Sequence, residues 1–306
     1  MSFVRTILSD IDPRELGVCY AHEHVVIDHG HATANNPEFL LNDVEKITAE
    51  LLDFRRAGGR AMVDTMPMDC GRNRQLLAEV SRRSGVHIIC PTGLHLAKYY
   101  EPAHWSNSPK VHEPEWLASL FAGEIETQRC GVIKVAGGRD RLDARERSIF
   151  IAAARAQQRT GCPIITHTEE GTAAREQVEV LREHGADLSH VVLSHLDRRP
   201  DVEYHRAVLR TGVKVEYDSA FRWKGNANRT LELLCALLPE FPGQILLGMD
   251  AARHSYWKSY GGGPGLTFLL TSFVDQMRAA GIDEGLIGRV FVENTMEAYA
   301  FGPRDE

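Results

Sequence analysis

Eight short apolar, β-rich runs recur along the 306 residues, each followed by an amphipathic stretch with three- and four-residue apolar spacing. That alternation constrains the fold more than any other feature. The runs are GVCYAHEHVVID from residue 17, RAMVDTMP from 60, HIICPTGL from 87, GVIKVAGG from 131, PIITHT from 163, VVLSHL from 191, VKVEYDS from 213 and ILLGMD from 245. Helical periodicity fills 43–57, 73–84, 114–129, 143–159, 172–184, 200–211, 227–238 and 266–280, with a further stretch at 283–300. Turn signals such as RRAGG, RTG and LPEFPG separate the units. Strands that alternate with helices pair in parallel, and near-continuous apolar strands are buried on both faces. The pattern predicts an α/β fold, a single-domain (β/α)8 TIM barrel over residues 1–306. A doubly wound open sheet would show a nucleotide fingerprint after an early strand, and neither G-x-G-x-x-G nor G-x-x-x-x-G-K-[ST] is present.

The charge balance argues against nucleic acid as a partner. Asp and Glu outnumber Lys and Arg by 42 to 35, which leaves a net charge of −7 and no basic run interleaved with aromatics. No apolar run is long enough to span a bilayer and the N-terminus lacks a signal-like apolar region, so no membrane association and a cytoplasmic location are expected. The six cysteines are scattered without C-x-x-C spacing and read as reduced core thiols.

In a barrel of this kind chemistry gathers at the C-terminal ends of the strands. Polar side chains interrupt the apolar runs there: His22 and His24 on the first strand, Lys134 on the fourth, His167 on the fifth, His195 on the sixth and Asp250 on the eighth. Period-two alternation points His22 and His24 to one face and Glu23 to the other. Each residue alone is explained by hydrogen bonding at a barrel rim. Together they make a set of imidazoles and a carboxylate suited to borderline divalent metals. Lys134 conflicts with a cation unless burial lowers its pKa. The neutral amine can then take up carbon dioxide, and the resulting carbamate is anionic with one oxygen for each of two metals.

H-x-H on strand one, lysine on four, histidines on five and six, and aspartate on eight resemble the phosphotriesterase family of the amidohydrolase superfamily. The words AHEHVVID, GVIKVA, ITHTEEGT, LSHLDRRPD, LLGMDAAR and VENTMEAYAF are similar to that family across almost the whole chain. The resemblance implies that His22, His24 and Asp250 hold a more buried metal and that His167 and His195 hold a more exposed one. Carbamylated Lys134 and a hydroxide would bridge two divalent ions, zinc first, with manganese or cobalt as alternatives. Asp250 would also be catalytic, accepting the proton of the attacking hydroxide and passing it to the leaving group. A homodimer is implied as well.

The substrate is the finer question. MDAARHSYWKSYGGGPG, after the eighth strand, looks like the branch that hydrolyses phosphorylated sugar lactones, which would make Lys224, Arg253 and Tyr256 phosphate-binding residues. Tyr99, in the non-periodic loop at 95–113, would wall the pocket. Arg222 and Lys258 are explained equally well as loop-solvating charges. Asp64, Arg72 and Asn73 are expected to brace the loop after strand two and to cap the next helix. The expected activity is therefore metal-dependent opening of a lactone or ester, most specifically a phosphorylated sugar lactone. A phosphotriesterase or a lactonase for uncharged acyl lactones is the alternative within the enzyme class. A barrel-mouth ligand-binding protein is the alternative outside it, and its sign, a lost metal ligand, is not seen.

Overall fold

The computed structural model describes residues 2–225 and 227–302. Eight parallel strands form the barrel: β1 (Cys19–Glu23), β2 (Ala61–Asp64), β3 (His87–Ile89, resuming as Pro91–Leu94), β4 (Val132–Gly137), β5 (Ile164–Thr168), β6 (Val191–Ser194), β7 (Lys214–Tyr217) and β8 (Ile245–Leu247). Their order is sequential, β1-β2-β3 and then β3 through β8, with the interruption at Cys90 dividing the ladder. The Asp250 amide bonds the His22 carbonyl at 3.0 Å and so joins the last strand's end to the first. These eight strands and their intervening helices are the TIM barrel that the alternation predicts, as a single α/β domain.

The helices fall within a few residues of their expected bounds. They include α1 (Val44–Arg56), α2 (Arg74–Ser84), α3 (Pro114–Gln128), α4 (Ala144–Thr160) and α5 (Ala174–Glu183). The 283–300 stretch is divided at Val292 into Glu284–Phe291 and Glu293–Tyr299. Caps follow the sequence signals. Asn73 accepts from the Leu76 amide at the start of α2, and Asp143 and Glu146 form a reciprocal capping box on α4.

Inward-facing Cys19, Ala21, Val63, Ile89, Val132, Ile165, Val192 and Leu246 fill the lower barrel. A larger shell, including Tyr20, Met62, Ile88, Ile133 and Leu247, packs strands against helices. A register irregularity between Tyr20 and Glu23 transfers β1's inward face from Ala21 to His22. Gly93 has φ of 102°, and a Cβ there would lie 2.0 Å from the Lys134 carbonyl oxygen, so only glycine permits β3 to approach β4 beside that lysine. The 95–113 loop is built from short 3₁₀ turns, and no described helix is long and apolar enough to cross a membrane.

Candidate active site

A cavity of about 360 Å³ opens at the C-terminal ends of the strands. His22, His24, His167, His195 and Asp250 all line it, together with His95, Tyr99, Arg198, Arg222, Arg253 and Tyr256. Residues more than 200 positions apart in the chain therefore meet at one rim. The His22 and His195 rings lie 4.6 Å apart between centroids, and His167 and His195 lie 4.5 Å apart. Asp250 Oδ1 is 3.2 Å from His24 Nε2 and 3.7 Å from His22 Nε2. The ligand atoms of His22, His24 and Asp250 are close enough together to share one cation.

Lys134 projects beneath this rim from β4. Its Nζ is buried and has no hydrogen-bond partner among the described residues, and burial pushes its pKa down to about 8. An ammonium left in such a place would be costly. A neutral amine or a carbamate bound to cations would not. The unpartnered amine, the converging imidazoles and the Asp250 carboxylate thus fit a divalent metal centre.

Carboxylates that the sequence pattern does not single out support these side chains. His195 Nδ1 makes a short hydrogen bond to Asp218 Oδ2. Burial, with the Arg198 charge, pushes His195 down to about 3, so a neutral ring donates Nδ1–H to Asp218 and leaves Nε2 for the site. His22 Nδ1 lies 2.8 Å from Ser194 Oγ, and burial with the Lys134 charge keeps the ring neutral. His167 Nε2 is 2.7 Å from Glu169 Oε2, which also receives Lys98 through its other oxygen at 3.0 Å. Glu23, between His22 and His24, accepts the amides of Met249 at 2.7 Å and Ala251 at 3.2 Å. It grips the backbone on either side of Asp250.

Two guanidinium groups secure the other edge of Asp250. Arg198 Nη2 is 2.7 Å and Arg222 Nη2 is 3.2 Å from Oδ2, and both arginines also contact Asp218 Oδ1, at 3.1 and 3.0 Å. Burial opposes ionisation of Asp250, but its bond to His24 and the two arginines hold it well below the usual carboxylate range. Oδ1 is consequently left facing the histidines.

The substrate-side residues divide. Tyr99, Arg253 and Tyr256 line the cavity, and Tyr256 packs edge-on against Phe221 at 5.0 Å. Lys224 is exposed and lies outside the lining, because the loop after β7 turns Arg222 inward instead. Arg253 is half-exposed and its ion pair is to Glu38 at 3.0 Å. Buried Glu50, on α1, anchors this loop by accepting the amides of Ser259 and Leu266 at 2.8 and 2.9 Å. Asp64 accepts the Val25 amide at 2.7 Å, and Arg72 makes a bidentate pair with Glu124.

A parallel eight-stranded barrel with a buried lysine, four histidines and an aspartate at one mouth defines the class of metal-dependent barrel hydrolases. The Phosphotriesterase family model matches residues 2–299, and the chain belongs to that family of metal-dependent hydrolases. A phospho-furanose lactonase of Mycoplasmopsis agalactiae is 27% identical, with 98% of this chain and 92% of the relative covered. An N-acetyltaurine hydrolase of Danio rerio is 28% identical, with 95% and 96% covered. Among solved structures, a lactonase from Listeria monocytogenes superposes with a TM-score of 0.91 at 29% identity, covering 98% of this chain and all of that one. The protein is a hydrolase.

Proposed function

We propose that the enzyme opens a phosphorylated sugar lactone with the aid of two divalent metal ions. The observation that carries this reading is the pairing of the histidine and aspartate cluster, above the buried Lys134, with Arg253 in one cavity. His22, His24 and Asp250 would hold one ion, His167 and His195 the other, and Lys134, as its carbamate, would be shared between them. Zinc suits this donor set, and manganese or cobalt would be accommodated by the same atoms. Bound there, the ions supply an ionised water at neutral pH and a Lewis acid for the lactone carbonyl.

The chain's own groups do the rest. Asp218 and Ser194 fix the His195 and His22 rings, so their orientations need not be reorganised during reaction. Arg198 and Arg222 restrain Oδ2 of Asp250 and leave Oδ1 to take the proton from the attacking water. Their charges make Asp250 a weak base, so the proton passes readily to the far more basic ring alkoxide as the carbon–oxygen bond breaks, giving a hydroxy acid. Arg253 exchanges its exposed partner Glu38 for the substrate phosphate, to which a guanidinium can make two parallel hydrogen bonds. Tyr256 and Tyr99 flank the sugar. Arg222, with its bonds to Asp218 and Asp250, is committed to the carboxylates. The phospho-furanose lactonase relative supports the substrate class. The N-acetyltaurine hydrolase relative makes an amide the competing substrate.

The test is a comparison of turnover on a five-membered lactone 5-phosphate, the same lactone without phosphate, and N-acetyltaurine. Wild type should favour the phosphorylated lactone. Arg253→Met should raise KM for it by about 10- to 100-fold, the loss of one charge-assisted contact, and change KM for the uncharged lactone little. Equal effects on both lactones would reject the phosphate role, and faster turnover of N-acetyltaurine would reject the lactone.

A further inference from the structure

His95 belongs to neither the candidate metal set nor the phosphate-binding residues, yet it is buried in the cavity wall just past β3. Its ring lies 5.1 Å from that of His167 and 4.3 Å from that of Tyr99. The Leu96 amide donates to His95 Nδ1 at 2.7 Å and has no other acceptor among the described residues. That bond occupies the Nδ1 lone pair. The neutral ring must then carry its proton on Nε2, which has no hydrogen-bond partner among the described residues and is not closed off from the cavity.

The backbone around the ring is held from both sides. Tyr100 Oη accepts the His95 amide at 2.8 Å and donates to the Met68 carbonyl at 3.2 Å. The His95 carbonyl accepts from Arg145 at 3.1 Å. The ring is therefore presented in one orientation. A ring whose Nδ1 is already an acceptor cannot also give an Nε2 lone pair to a cation without becoming an imidazolate, so the contact with His167 does not make His95 a fifth histidine ligand. A fixed N–H donor remains.

We propose that His95 is a specificity-determining residue whose Nε2–H binds a hydroxyl oxygen on the carbon next to the reacting carbonyl. The position follows from the ring's place in the same cavity wall as His167, 5.1 Å away between centroids, which sets the donor beside the place the lactone carbonyl would occupy. The chemical class follows from the donor's character. A buried N–H rewards a substrate with an oxygen acceptor there and is left unpaired by one without, so the site selects α-hydroxy lactones, as in sugars, over deoxy or simple alkyl lactones. This rests on the lactonase reading above.

The experiment measures kcat/KM for ribono-1,4-lactone 5-phosphate and its 2-deoxy counterpart, so that the phosphate contribution cancels in the ratio. The uncharged pair α-hydroxy-γ-butyrolactone and γ-butyrolactone gives the same ratio free of the phosphate. Wild type should prefer the hydroxylated member by at least about tenfold. His95→Phe, which keeps a planar ring and loses the donor, should bring the ratio to within about twofold of unity. His95→Gln, which restores an N–H donor, should recover part of the preference. Metal content should be unchanged in both variants. A preference that survives in His95→Phe, a wild type without preference, or loss of metal from His95→Phe and His95→Gln alike overturns the proposal. Should His95→Phe fail to fold, the Gln variant and the wild-type ratio still decide. A wild type inert towards both pairs refutes the lactonase reading, and this proposal with it.

Discussion

Replacing Glu23 by alanine should loosen Asp250 without touching a single candidate ligand. Glu23 is fully buried and its two oxygens accept one amide each, Met249 at 2.7 Å and Ala251 at 3.2 Å. Glu23→Ala leaves both N–H groups without partners in a dry place, at about 1–3 kcal/mol each, so a total near 4 kcal/mol is expected. The unfolding entropy of a 306-residue chain, on the order of 0.6 kcal/mol per kelvin, converts this to a Tm lower by about 6 °C. Glu23→Gln keeps an acceptor for Met249 but turns an NH₂ towards the Ala251 amide, and should lose roughly half as much. Asp250 sits at a left-handed φ of 46° between the two clamped amides. Once released, its carboxylate loses the orientation that leaves Oδ1 facing His24, and kcat should fall at least about tenfold with a smaller change in KM. Thermal unfolding of chelator-treated protein separates the clamp from any stabilisation by bound metal. A Glu23→Ala protein with Tm within about 1 °C of wild type and undiminished kcat would refute the reasoning.

Metal removal should be decisive. Exhaustive chelation is expected to abolish turnover, and zinc or manganese to restore it. Lys134→Met should lower the metal stoichiometry below two ions per chain, and 13C NMR in labelled bicarbonate should show a carbamate signal in wild type that is missing from the variant. Dependence on pH is expected at the barrel floor, where Asp10 bonds Arg5 Nε at 3.0 Å and Arg129 Nη2 at 2.6 Å. The hydrogen bond to Arg5 holds Asp10 below its ordinary value of 3.8, against some burial. A depressed carboxyl stabilises the fold above its unfolded value and loses that contribution as the pH falls below it. Asp10→Asn should therefore cost on the order of 1 kcal/mol or less at pH 7 in low salt, with the difference shrinking in chemical denaturation below about pH 4 and at high salt.

The sequence was most informative where a residue's role follows from its place on a strand. Lys134 and His167 interrupt apolar runs at strand positions that face inward, so periodicity finds them, and the strands and helices follow from the same periodicity; His22 faces inward only because the irregularity in β1 shifts the alternation by one residue. Roles set by pairing across the barrel are invisible to it. Asp218 is recognisable only by its bond to His195, and Arg198 only by its reach to Asp250, 52 residues away. Lys224 and Arg222 are two positions apart in a cationic loop, and composition cannot say which of them turns inward. His95 is hidden for another reason: its usefulness depends on which ring nitrogen its neighbour's amide occupies.

Two of the candidate ligands also escape strict strand alternation, and for one physical reason. His195 and Asp250 lie just beyond the ends of β6 and β8 with φ of 68° and 46°. A non-glycine residue in this region costs on the order of 1–2 kcal/mol and stays there only where its surroundings hold it. Buried carboxylates do so in both cases. Asp218 takes the His195 ring, and Asp197, two residues on, accepts the Ser219 amide at 2.8 Å and the Thr230 hydroxyl at 2.6 Å, fastening that turn to the next strand's end. Glu23 takes the amides flanking Asp250. The left-handed turns redirect both side chains at the point where an extended strand would have carried the chain past the rim. The glutamate between His22 and His24 therefore faces away from the candidate metals and still helps to shape their site, because the backbone it holds belongs to the opposite end of the barrel sequence.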